Sequence, residues 1–129
     1  MTNNKGTILI ADDNDLVRDT LQTFVETLFP DYAPVVFENG DSLASRLEKE
    51  LVNPSDVKLL ITDNDMPGKT GSELIANYAN QLSFPIILHY AGRRDIGEEA
   101  IKNGAYAYLS KPVKLDFFEE IIGKALKEK

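Results

Sequence analysis

Apolar residues along this chain fall into two spacings. Thr7–Ala11 (TILIA), Val57–Thr62 (VKLLIT) and Ile86–Tyr90 (IILHY) are short aliphatic and β-branched runs that read as strands. VVFE at 35–38 and YAYL at 106–109 supply two more. Between the runs, apolar residues recur every three or four positions, the period of a helix that buries one face. Leu16, Val17, Thr20, Leu21, Phe24, Val25 and Leu28 mark helix 1. Leu43, Ala44, Leu47 and Leu51 mark helix 2, and Leu74, Ile75, Tyr78, Ala79 and Leu82 mark helix 3. A shorter helix 4 forms around Ile96, Ala100 and Ile101, and helix 5 carries Leu115, Phe118, Ile121, Ile122 and Ala125.

Turn residues separate these segments. Pro30 and Pro34 close helix 1, because the residue before a proline disfavours helix. Asn39-Gly40-Asp41 is a turn, and Asn103-Gly104 is a left-handed helix cap. Pro67, Gly68 and Gly71 punctuate a loop, DNDMPGKTG, over residues 63–71. The resulting order is strand then helix, repeated along the chain. Strict alternation predicts an α/β fold with a parallel sheet covered on both faces. Right-handed crossovers leave few topologies, and ligands in such sheets bind beyond the carboxyl ends of the strands.

Length and composition narrow the class. The chain has 129 residues, which predicts one domain, with its core at about 7–126 and no output domain after helix 5. No apolar run reaches membrane-spanning length, and MTNNKGT at the start lacks the apolar region of a secretory signal, so a cytoplasmic protein is expected. Cysteine is absent and His89 is the only histidine, which removes disulfides, thiolate chemistry and the usual zinc ligand sets. The net charge of −7 gives no broad electrostatic reason to hold nucleic acid or anionic lipid directly.

The candidate chemistry stands at the carboxyl edge. Asp12 and Asp13 follow strand 1, Asp63 and Asp65 follow strand 3, and Ser110-Lys111-Pro112 follows strand 5. Asp and Asn after a strand are commonly turn formers or helix caps, so no one of these segments is decisive alone. Carboxylates gathered in one pocket repel unless a cation or a lysine joins them. Hard oxygen ligands with open positions suit Mg²⁺, and a lysine opposite them can neutralise a phosphoryl oxygen. Carboxylate, magnesium and lysine are the parts that phosphoryl transfer to an aspartate requires.

With ILIADDN, LLITDNDMPGKTG, GAYAYLSKP and this element order, nearly the whole chain resembles a two-component response-regulator receiver domain. The resemblance implies a doubly wound, flavodoxin-like five-stranded parallel sheet, order 2-1-3-4-5, with five helices. It implies a phosphorylation-controlled signalling switch that catalyses its own phosphoryl transfer and slow hydrolysis. Asp63 would be the phosphoacceptor, and Lys111 would pair with the phosphate. Asp12, Asp13 and the main-chain carbonyl of Asp65 would hold Mg²⁺. The Lys111-Pro112 bond would be cis, and Met66, Pro67 and Gly68 would shape the loop over Asp63. Tyr108 matches the family's aromatic switch; a ring with a polar tip suits a place alternately buried and wet. The implied partners are a sensor histidine kinase or phosphotransfer protein, and a downstream target or missing output domain. A homodimer through helix 4, strand 5 and helix 5 is compatible with the family.

The sequence departs from the pattern at strand 4. Where the family has Ser or Thr before Ala, this chain has Tyr90 before Ala91. A tyrosine hydroxyl cannot occupy the point of a small hydroxyl, so Tyr90 is a candidate switch position whose coupling differs. His89 should face away from it. One histidine without a partner supports neither a metal site nor a relay, so it reads as a packed or solvent-tipped imidazole. Lys114 stands where a Ser or Asp often caps helix 5, and Arg93 and Arg94 read as an exposed pair at a helix start. Two other function classes compete with this one: a pseudo-receiver that binds partners independently of phosphorylation, and a phosphatase suggested by Asp63-Asn64-Asp65. The phosphatase motif would follow the first strand and have Thr or Val at Pro67. Pro67 and Leu74 also rule out an EF-hand, and the acidic DDND rules out a flavin phosphate loop.

Overall fold

A computed structural model describes residues 5–127. Met1–Asn4 and the last two residues, included in the single domain predicted from sequence, lie outside the described residues. The elements are β1 (Gly6–Ala11), α1 (Asp15–Leu28), β2 (Tyr32–Phe37), α2 (Gly40–Val52), β3 (Val57–Thr62), α3 (Gly71–Tyr78), β4 (Ile86–Tyr90), α4 (Arg94–Lys102), β5 (Ala107–Ser110) and α5 (Leu115–Lys127). Five parallel strands form one sheet in the order β2-β1-β3-β4-β5, as expected for the doubly wound fold.

The central strands are mostly apolar and, Lys58 apart, buried along their length, because both of their faces are covered. Alternation then splits the core in two. Leu9, Leu60 and Leu88 join Leu43 and Leu47 of α2, Leu74 and Ile75 of α3, and Ala100 of α4. Ile8, Ile10, Leu59, Ile61 and Ile87 join Leu21 and Val25 of α1, and Phe118, Ile122 and Ala125 of α5. Phe24 and Phe118 lock α1 to α5 with rings at 5.2 Å between centroids and 63° between planes, an edge-to-face pair.

Local chemistry explains where helices begin and end. Asn14 and Asn39 cap α1 and α2, their side chains accepting from Val17 and Ser42 N–H. Thr70 and Glu73 form a reciprocal capping box at α3. α4 ends as its sequence suggests: Gly104 has φ +113°, while Gly104 and Ala105 N–H donate to the Ile101 and Ala100 carbonyls. That pairing closes a Schellman turn and satisfies the helix-end carbonyls. At the start of α5, the Lys114 carbonyl accepts from Phe118 N–H at 2.8 Å.

Three boundaries differ from the sequence expectation. Pro34 does not stand outside β2 but within it, and the strand starts at Tyr32 rather than Val35. β2 is an edge strand with one unpaired side, which is where a sheet tolerates proline. α3 stops at Tyr78, before Leu82; the Tyr78 carbonyl accepts from both Gln81 and Leu82 N–H, tightening the chain into a turn that still packs Leu82 on the core. β5 runs one residue later, from Ala107 to Ser110.

The α2 N-terminus and the β3–α3 loop are in close contact. Gly40 N–H donates to the Pro67 carbonyl at 2.8 Å, and Lys69 N–H donates to the Asp41 carboxylate at 3.3 Å. A Cβ on Gly40 would overlap the Lys69 main chain, and one on Gly68 would overlap the Asp41 carboxylate. The loop after Asp63 is thereby clamped from outside. Gly40→Ala should lower stability by about 1–3 kcal/mol, the usual range for overpacking. The midpoint of urea unfolding measures this; an unchanged midpoint would show that the loop is not clamped there.

Candidate functional site

The sheet order brings the ends of β1, β3, β4 and β5 to one edge. Asp12 directly follows β1, with its N–H bonded to the Phe37 carbonyl at 3.1 Å. Asp63 directly follows β3, with its N–H bonded to the Ala11 carbonyl at 2.8 Å. Lys111 follows β5 and donates its N–H to the Tyr90 carbonyl at 3.2 Å, so β4 fixes where the lysine leaves the sheet. The Lys111-Pro112 peptide is cis, as expected.

These backbone bonds converge three carboxylates and an ammonium. Oxygens from Asp12, Asp13 and Asp63 lie within 4.8 Å of one another. Lys111 Nζ sits 2.8 Å from Asp12 Oδ2 and 3.2 Å from Asp63 Oδ1. Asp12 is 1% exposed and Asp63 5%, whereas Asp13 is open to solvent. Asp12 Oδ1 accepts from Asn14 N–H at 2.9 Å, which orients the buried carboxylate. Asp63 Oδ1 accepts from Asn64 N–H at 2.7 Å and faces the lysine, so Oδ2 is the oxygen left for chemistry. Asp65 is exposed, and its side chain accepts from Asn64 Nδ2 at 3.1 Å. With Tyr90 and Ala91, these groups line a cleft of about 420 Å³.

Charge is unbalanced here. Burial, with the Asp12 charge beside it, pushes the Asp63 carboxyl above its ordinary range, although Lys111 and the Asn64 N–H pull the other way. Burial also opposes the Lys111 cation, but its contacts with Asp12 and Asp63 outweigh this and hold the ammonium above its ordinary value. One lysine against three carboxylates leaves a net negative pocket of hard oxygen donors, which fits a divalent cation.

The remaining sequence candidates separate. His89 does face away from Tyr90, into the α1–α5 layer, and is 3% exposed. It borders a cavity of about 210 Å³ with Leu16, Val17, Leu21, Pro112 and Val113. Neither ring nitrogen has a hydrogen bond among the described residues. Burial and the nearby Lys111 charge push its pKa down to about 4, so the ring is a neutral packing group. Arg93 and Arg94 are exposed and pair with Asp95 and Glu98, away from the acids. Tyr108 is half-buried, with its ring across Gly97 of α4.

Some contributors were not anticipated from sequence. Arg18 Nη1 donates to the Asp12 carbonyl at 2.7 Å and pairs with Asp15. Asn64 is buried; beyond its bonds to Asp63 and Asp65, its Oδ1 accepts from Ser72 N–H and Oγ at 2.7 and 2.6 Å. It thus ties the β3–α3 loop to the first turn of α3. Gly92 gives way to the Tyr90 ring. Only Gly92 carried a signal, as a glycine two residues after a tyrosine at a strand end.

Residues 8–123 match the family described as the response regulator receiver domain. The chain is 34% identical over 109 residues to the transcriptional regulatory protein PdtaR of Mycobacterium tuberculosis, covering 84% of this chain and 50% of that protein. It therefore spans about half the length of that relative. The signal receiver domain of a DNA-binding response regulator from Colwellia psychrerythraea superposes with TM-score 0.81 at 23% identity, covering 96% and 99% of the two chains, and supports the fold. The beryllofluoride-activated NtrC4 receiver domain dimer gives TM-score 0.78 at 25% identity, with coverage of 95% and 97%.

The electrostatics of Asp63 have a measurable consequence. The folded chain holds the Asp63 proton more tightly than the unfolded chain, so ionising it costs stability above its folded pKa. In metal-free buffer, Asp63→Asn should melt higher than the parent at neutral pH. The gain should vanish as pH falls through the ordinary carboxylate range, where the parent is protonated too. Thermal melts from pH 3 to 8, about the span of carboxylate titration, test this. A variant that melts lower at neutral pH would reverse the sign.

Proposed function

The chain belongs to the response-regulator receiver family, phosphorylation-controlled signalling switches that catalyse their own phosphoryl transfer, and from that membership we propose the role of each site residue. Asp63 is the phosphoacceptor. Its Oδ2 attacks the phosphorus of a phosphohistidine on a kinase or phosphotransfer protein, and the phosphorus–nitrogen bond breaks as the imidazole leaves. Lys111 is drawn from the free carboxylates toward the oxygens of the transferred group, where its charge offsets the charge gathered in the transition state. Asp12, Asp13 and the main-chain carbonyl of Asp65 would hold Mg²⁺, with Asp63 close enough to Asp12 and Asp13 to share it. When bound, that ion would screen the carboxylates from the incoming phosphoryl oxygens and orient them. The observation that carries this reading is Lys111 Nζ at 2.8 and 3.2 Å from two buried aspartates, beside a third carboxylate open to solvent.

The response leaves through the far side of the sheet. Tyr108, wedged between β5 and Gly97, is the residue that would report a shift of α4 to a target protein, to an output domain or to a second copy. Among the described residues no helix is long and apolar enough to cross a membrane. The proposed partners are proteins, because a net charge of −7 gives nucleic acid or anionic lipid no broad attraction. A pseudo-receiver is the second reading, motivated by Tyr90 in place of a small hydroxyl.

Acetyl phosphate with Mg²⁺ should load one phosphoryl group per chain, seen as one mass increment, and Asp63→Asn should load none. Labelling retained in that variant would refute the acceptor, and no labelling of the parent would favour the pseudo-receiver. Mg²⁺ should also raise the melting temperature of the parent, because binding to the native state alone adds stability. Asp13→Asn should lose most of that rise; an equal rise would remove Asp13 from the ligand set.

A further inference from the structure

Tyr90 is 8% exposed, yet it lines the same cleft as Asp12, Asp13, Asp63 and Lys111. Its ring packs with Leu88, Leu60 and Ala100 in the α3–α4 layer. The phenol end lies across Gly92: a Cβ there would overlap Cζ and the hydroxyl oxygen. The hydroxyl is therefore turned toward Gly92, and no hydrogen bond from it to the acids or to Lys111 occurs among the described residues. Tyr90 thus forms part of the wall of an otherwise ionic cleft while its hydroxyl end rests on Gly92.

We propose that Tyr90 shields the acyl phosphate on Asp63 from water, with Gly92 as the seat that keeps the ring in place. The inference rests on Asp63 being the acceptor. Hydrolysis needs a water oxygen to form a bond to phosphorus as the bond to Asp63 Oδ2 breaks. The aspartate leaves as carboxylate, and the water's protons depart with dihydrogen phosphate. That water must enter through the cleft mouth. On the Tyr90 side of the cleft, a ring face offers an approaching water no hydrogen bond to replace those left in bulk, which raises the cost of reaching phosphorus. Entry of the phosphoryl group itself is less affected, because it arrives on a donor that contacts the acids and Lys111 directly. The chain thus trades the small hydroxyl of its relatives for persistence of the phosphorylated state.

The test is the half-life of the phosphorylated protein after removal of acetyl phosphate, followed by intact mass at fixed Mg²⁺. Tyr90→Thr should shorten it on the order of tenfold, a barrier change of about 1.4 kcal/mol. Tyr90→Phe keeps the ring and loses the hydroxyl, so it should retain the long half-life. Gly92→Ala, which leaves every ionic group in place, should displace the ring and shorten the half-life in the same direction. A half-life in Tyr90→Phe as short as in Tyr90→Thr would overturn the proposal, because the hydroxyl would then be the active part. Unchanged half-lives in both Tyr90→Thr and Gly92→Ala would overturn it as well. Stoichiometry at time zero separates the two levels: a parent that never loads rejects the acceptor, and the shield with it, whereas loading with the wrong half-lives rejects the shield alone.

Discussion

The ion triad of Asp12, Lys111 and Asp63 is the constraint on which the rest of this molecule depends. Two nearly buried carboxylates at the end of a parallel sheet are costly, and removing the cation between them would leave both charges uncompensated. The lysine that resolves this arrives late in the sequence, and only the order β1-β3-β4-β5 delivers it. β4 must lie between β3 and β5, with Tyr90 opposite Ser110, for Lys111 to emerge over Asp63. The fold is a means of holding opposite charges from distant segments at about 3 Å. The pocket stays net negative, which suits a divalent cation.

Much of this was legible in the residues. Largely buried strands such as TILIA and VKLLIT announce themselves because aliphatic and β-branched residues dominate them, with Lys58 the one charged interruption. The strand ends could be located from those runs, and with them the aspartates and the lysine. β2 was harder, because Pro34 reads as a breaker and only tertiary context reveals an edge strand that tolerates it. α3 was overextended to Leu82 for a related reason: an apolar residue one turn past a helix end can still face the core. The contacts of Asn64 and Arg18 were invisible, since each depends on a loop path and not on a spacing pattern.

Glycines adjust this scaffold where side chains and main chain crowd. Gly40 lets α2 press on the β3–α3 loop, Gly92 yields to the Tyr90 ring, and Gly97 yields to Tyr108. The last two put both tyrosines of the α4 side against that helix or its approach. α4 thus rests on aromatic rings at its entry and along its inner face, and of its own side chains Ala100 is buried and Ile96 half-buried against the same core.

His89 carries a consequence of another kind. It is the only imidazole in the chain, it is sealed from solvent, and it lies one residue before Tyr90 and within electrostatic reach of Lys111 and Asp12. Its ring carbon protons give a single pair of resonances that need no assignment by mutagenesis. Because the ring is neutral over the working pH range, those resonances will not drift with buffer. They respond instead to the field of the neighbouring ammonium, so any movement of Lys111 is written onto the one histidine as a shift. The molecule contains its own built-in gauge of the charge that organises its site.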